Sequence, residues 1–73
     1  MKTHIVFPSL TEVEFDFQNN IPNNGDEICF VGDDSIVPEG DRHIDFFIVI
    51  ERLYQIEDGK LERIDVVLKD KEQ

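Results

Sequence analysis

"IDFFIVIERLYQIEDGKLERIDVVLKD", residues 44–70, decides the fold. Within it Asp58-Gly59 stands between two apolar-rich runs, and such a pair is a strong short-range signal for a two-residue β-turn. Setting Glu57 opposite Lys60 aligns Ile56 with Leu61, Tyr54 with Arg63, Leu53 with Ile64, Arg52 with Asp65, Ile50 with Val67 and Val49 with Leu68. Two of the pairs are opposite charges, and apolar residues mostly meet apolar residues. Each such cross-strand pair contributes roughly 0.2–1 kcal/mol. A slip of one residue loses most of the matches. A helix through 50–64 is the rival. It would hold Gly59 in a helix interior at a cost of about 1 kcal/mol against alanine, and it would waste the charge pairing. The expectation is a hairpin. Glu51 resists it, because this register puts Glu51 on the face of Phe47, Val49, Leu53, Ile64, Val66 and Leu68. A β-bulge near Glu51, or a bend of the strand out of the sheet, would redirect it.

The same alternation runs upstream. In "TEVEFDFQ", residues 11–18, Val13, Phe15 and Phe17 face one side and Glu12, Glu14, Asp16 and Gln18 the other. That is a half-buried antiparallel strand with one wet face. "HIVF" at 4–7 is β-branched and aromatic and reads as a strand, with "PSL" at 8–10 as a tight connection. "IPNNGDEICF" at 21–30 carries much turn chemistry. Pro22 cannot donate to a ladder, Asn23, Asn24 and Gly25 tolerate positive φ, and Asp26 can accept from a nearby backbone N–H. A strand, "EICFV", follows, with Ile28 and Phe30 on one face and Cys29 and Val31 on the other. The stretch is therefore a corner. A phosphate cradle needs more glycines and a following helix.

Five strands are expected, over residues 3–7, 11–18, 27–32, 44–57 and 60–69, in one domain spanning 1–73. Sequential short strands joined by tight turns predict an all-β fold: a small five-stranded antiparallel SH3-like barrel or partly open β-roll. "GDDSIVPEGDRH" at 32–43 is a long acidic loop. It fails as a calcium loop, since counting from Asp33 places Pro38 sixth and Ile44 twelfth, where an EF-hand needs glycine and glutamate.

A half-exposed strand, then Pro22-x-x-Gly25-Asp26-x-Ile28, a variable loop, and a long strand with Phe47, Val49, Arg52 and Tyr54 leading to "DVVL" at 65–68 resembles short uncharacterised bacterial and phage proteins with SH3-like β-barrels. The resemblance implies the fold and, as in phage connectors, a module that docks on other proteins. It implies no catalytic residues.

Chemistry is sparse. Cys29 is the single cysteine, so no intrachain disulfide can form. With His4 and His43 it makes no recognisable zinc spacing, and its expected fate is a small buried strand residue. Asp33 and Asp34 read as solvated loop acids. No nucleophile elbow, metalloprotease or nucleotide motif occurs. The expectation is no enzyme and no cofactor. Seven Lys and Arg against 17 Asp and Glu give a net charge of −10, which disfavours nucleic-acid and anionic-membrane partners. The N-terminal stretch lacks a signal-peptide core, and no run reaches the ~20 apolar residues of a membrane span, so a cytoplasmic location is expected. The partner expected is another protein or a second copy in a homodimer. The alternative is an acidic inhibitor that mimics nucleic acid toward a basic protein. The candidate interface residues are Phe46, Ile48 and Ile50, on the strand face that a small barrel leaves wet, together with Arg52, Tyr54 and Arg63, read as sharing one face of the last hairpin. The rival reading folds the 32–43 loop over Phe46, Ile48 and Ile50, with Ile36 and Val37 as cover.

Overall fold

The computed structural model describes residues 2–32 and 35–73. Its five strands are β1 (Lys2–Val6), β2 (Glu12–Glu14), β3 (Glu27–Ile28), β4 (Phe47–Glu57) and β5 (Lys60–Asp70), with one 3-10 turn at Glu39–Asp41. They form a single sheet in the order β2-β1-β5-β4-β3, curled into a half-barrel. The all-β expectation holds, but the sheet is mixed: β1 runs parallel to β5, while the other three pairings are antiparallel. The reason is a match of apolar periods. Parallel pairing sets Thr3 beside Ile64 and Ile5 beside Val66, which puts the inward residues of both strands on one side. Residues 7–59 give ample length for the crossover that a parallel pair requires.

Local chemistry makes the two hairpins. Asp58 and Gly59 both have positive φ, 52° and 76°, as a two-residue turn matched to strand twist demands. The β1–β2 turn closes with Leu10 N–H on the Phe7 carbonyl at 2.7 Å and Phe7 N–H on the Thr11 carbonyl at 3.0 Å. Leu10 there takes φ 72°. The 21–28 stretch is a corner: Gly25 N–H reaches the Val49 carbonyl at 2.8 Å, Val49 N–H returns to the Asp26 carbonyl at 2.9 Å, and Asp26 Oδ2 accepts the Asn23 N–H at 2.8 Å.

Strands β2 and β3 are shorter than expected. Alternating burial nevertheless continues past β2 through Phe15 and Phe17, held by Phe15 N–H on the Thr3 carbonyl and by the Thr3 hydroxyl on the Phe15 carbonyl. Strand β4 begins at Phe47, because Ile44–Phe46 belong to the incoming loop.

The core fills the inside of the curl. Ile5, Phe7, Val37, Phe47, Val49, Val66 and Leu68 are buried there, with Val13, Phe15, Phe17, Ile28, Phe30 and Ile36 packed around them. Phe7, Phe30 and Phe47 make a triangle of rings with centroids 5.6–5.8 Å apart. Val37 and Ile36 thus pack on the inner face rather than over Phe46, Ile48 and Ile50. A tether fixes the loop: the Ser9 hydroxyl donates to buried Asp41 Oδ2 at 2.5 Å.

Candidate protein-interaction surface

The last hairpin outgrows its sheet. An 11-residue strand at about 3.3 Å per residue is about 36 Å long, which accounts for the 39 Å long axis. Strand β3 pairs with β4 only at Phe47 and Ile48, and β1 pairs with β5 only from Arg63 to Val67. Residues 56–62 therefore project as a two-stranded ribbon, and residues 51–55 form the open edge of the sheet, backed by β5 and β1. Beyond Val49, among the described residues, the outer edge of β4 has no neighbouring strand. Six of the eight exposed large hydrophobics cluster at the base or along the length of this hairpin: Phe46, Ile50, Leu53, Tyr54, Ile56 and Leu61.

Two compensating bulges decide which way each side chain points. Val49 pairs with Leu68 and Glu51 with Val67, so Ile50 is an extra residue on β4. Gln55 pairs with Arg63 and Ile56 with Leu61, so Glu62 is an extra residue on β5. The expected register holds at both ends, Glu57–Lys60 and Ile56–Leu61 at the turn and Val49–Leu68 at the base. Between the bulges it shifts by one. Tyr54 meets Ile64, Leu53 meets Asp65 and Arg52 meets Val66, which corrects the expected Tyr54–Arg63, Leu53–Ile64 and Arg52–Asp65 pairs. Ile50 has no Val67 partner for the same reason. The bulge beside Glu51 turns that carboxylate outward, as expected of it.

The shift splits the candidate interface. Arg52 and Tyr54 lie on the inner face, with the guanidinium 5.5 Å from the Tyr54 ring centroid and Arg52 Nη1 donating to Asn23 Oδ1 at 2.8 Å. Arg63 lies on the outer face, so it does not share a face with them. Its Nε donates to Asp65 Oδ1 at 2.5 Å, its Nη2 pairs with Glu12, and Gln55 Nε2 donates to Asp65 Oδ2 at 2.9 Å. Asp65 is buried, so Arg63 neutralises a structural charge. Phe46, Ile48 and Ile50 follow the outer side of β4 near its base. Phe46 carries the Lys71 ammonium 5.8 Å from its ring, and Lys71 also pairs with Glu27 at 2.8 Å. That carboxylate, by hydrogen bond and by charge, holds the Lys71 ammonium above its ordinary pKa.

Sequence reasoning passed over Leu53, Ile56 and Leu61. Their signal was the mismatch between two long strands and three short ones.

Cys29 is exposed, contrary to the expected burial. Ile28 and Phe30 take the inward positions, and period two puts Cys29 outside. It borders a cleft of about 390 Å³ with Phe30, Arg42, Ile44 and Asp45. His4 sits between Glu14 and Asp65 on the outer face, and His43 is exposed in the loop. Asp33 and Asp34 lie outside the described residues. No cluster of His, Cys, Asp or Glu with metal-ligand geometry occurs among the described residues, and none of their helices is long and apolar enough to cross a membrane. Comparison with protein-family models, with curated proteins and with solved structures finds no match to this chain.

Proposed function

We propose that the protein is a small non-catalytic interaction module, or a subunit of a complex, that docks through the projecting end of β4–β5. One observation carries this reading: β4 presents an unpaired edge among the described residues, whose exposed side chains include the apolar or aromatic Leu53, Tyr54 and Ile56. Natural sheets blunt such edges with charge, proline, bulges or a covering segment, and here the Ile50 bulge and inward-facing Arg52 stand only at the start of the open edge. Residues 53–56 carry no charge or proline, and among the described residues no strand pairs with them on that side. An edge of this kind accepts an added strand, whose main-chain hydrogen bonds give affinity and whose alternate side chains give specificity.

The SH3-like reading belongs to this proposal in a limited sense. A small curled five-stranded sheet supports it, and the parallel β1–β5 pair departs from an all-antiparallel barrel. An origin among bacterial or phage connectors and a cytoplasmic setting rest on the same resemblance and on composition.

A photo-crosslinking residue in place of Tyr54 tests the site in the native host. It should capture a discrete protein species, and the same residue at exposed Leu10, on the β1–β2 turn, should not. If neither position captures a protein, or if the purified chain alone turns over a metabolite, the proposal fails. The acidic-mimic alternative rests on the net charge of −10. It predicts capture of a basic protein whose affinity falls steeply with salt.

A further inference from the structure

We infer that the occupant of the β4 edge is a second copy of this chain, added antiparallel about a two-fold axis through Gln55. The inference rests on the docking site proposed above and names its partner.

Backbone direction comes first. Val49 points its N–H and C=O away from β5, toward Asp26 and Gly25. One extra residue at the Ile50 bulge makes Arg52, Tyr54 and Ile56 the next residues whose groups face the open edge. The turn end agrees. Glu57 and Lys60 flank a two-residue turn and so bond each other, which leaves the Ile56 groups facing outward. In an antiparallel pair, outward residues must meet outward residues. Only registers that match 52, 54 and 56 among themselves are allowed.

Those registers are few, and the side chains choose between them. If Leu53 faced its own copy, the partner's Glu57 would fall on Val49, where Gly25 and Asp26 already bond. If Tyr54 faced its own copy, Glu51 would oppose Glu57 twice, and like charges opposite each other destabilise a sheet. If Ile56 faced its own copy, Tyr54 would oppose Asp58. With Gln55 facing itself, Tyr54 meets Ile56 twice, which is a favourable aromatic–β-branched pairing. Arg52 meets Asp58 twice, and no like charges oppose. The partner's turn stops at Arg52, clear of Gly25–Ile28. The two half-barrels then share one continuous sheet with an isologous interface. The contact is a strand pair below standard interface size, the class of weak, transient association.

Two copies of net charge −10 repel at long range, so added salt should tighten the dimer, whereas it weakens capture of a basic partner. The test uses the full chain in a Cys29→Ser background, with folding checked by circular dichroism. Sedimentation from about 1 to 500 µM should show a monomer–dimer equilibrium, and Ile56→Lys should weaken it at least tenfold. Gln55→Cys should crosslink oxidatively at least tenfold faster than Leu53→Cys, because only residue 55 faces its own copy within disulfide reach. A chain that stays monomeric to 500 µM overturns the dimer, as does crosslinking at 53 that matches or exceeds that at 55. A discrete heterologous species captured at Tyr54 alongside such a monomer overturns the dimer while the docking-site proposal stands.

Discussion

The two arginines of the last hairpin make opposite predictions. Arg63 neutralises Asp65, whose side chain is 6% exposed. Arg63→Met keeps the stem and removes the charge. The lost charge-assisted hydrogen bond is worth about 1.5–3 kcal/mol, and Asp65 is left buried with Gln55 as its remaining partner. The Arg63–Glu12 pair is half exposed and adds less than about 1 kcal/mol. Because Arg63 is itself 27% exposed, the lower part of the range applies, and the expected loss is about 2–3 kcal/mol. Arg52→Met gives up a bond to an exposed asparagine and a cation–π contact, for about 1 kcal/mol or less. A domain of this size holds only about 3–5 kcal/mol in all. Arg63→Met should therefore lower the urea midpoint by half or more, and Arg52→Met should move it little. The double variant Arg63→Met with Asp65→Val removes both charges from the same place and should return to within about 1 kcal/mol of wild type, since replacing a buried pair by apolar residues is often neutral. Far-UV circular dichroism at low micromolar concentration reads all five proteins: wild type, Arg63→Met, Arg52→Met, Asp65→Val and the double. Equal losses for the two arginines, or a double variant whose loss is the sum of its singles, would refute the assignment of Arg63 to the interior.

Three further outcomes follow from the geometry. Leu10 holds φ 72° with an exposed side chain, so Leu10→Gly relieves about 1–2 kcal/mol of left-handed strain against about 0.5–1 kcal/mol of added chain entropy, and thermal melting should rise by a few degrees. Ser9→Ala removes the hydroxyl that bonds buried Asp41 and should cost about 1–2 kcal/mol by urea titration; an unchanged midpoint would show that the loop tether does not stabilise the fold. Cys29 should react stoichiometrically with a thiol reagent in the native state at the rate of an exposed thiol, and protection released only by denaturant would contradict its outward position.

The sequence carried the hairpins and lost the sheet. Asp58-Gly59, the charge match of Glu57 with Lys60, and the Val13-Phe15-Phe17 alternation are local signals within a few residues, and each is where it was expected. The parallel union of β1 with β5 is a contact across some sixty residues. Its only cue is that Thr3 and Ile5 match the inward period of Ile64 and Val66, and many other strand pairs offer the same match. The candidate site suffered from one omission. A bulge near Glu51 or a bend of the strand is expected because Glu51 would otherwise enter the core, and the bulge falls at Ile50; nothing comparable marks Glu62, since a surface glutamate fits either face. Missing that second bulge put Arg63 beside Tyr54 and took a structural charge for a docking residue.

The two bulges together explain why the edge of β4 looks as it does. A hairpin in strict register would direct Glu51 into the inner face, pair Arg52 with Asp65, and line the outer face with their neutralised charges. The extra residue at Ile50 removes Glu51 from the core and, in the same step, moves Arg52 and Tyr54 to the inner face. The extra residue at Glu62 restores the register before the turn, so that Asp58 and Gly59 still close it. Between them the bulges leave Asp65 with Arg63 and Gln55 as its partners on the outer face, and they set Arg52 on the inner face with Asn23 and Tyr54. The core gains little from residues 52–57, which lie past Val49, the last β4 residue in the apolar core. A strand end that adds little to the monomer's core, keeps its length, and carries Tyr54 and Ile56 beside an unpaired backbone is the feature on which the proposed docking rests.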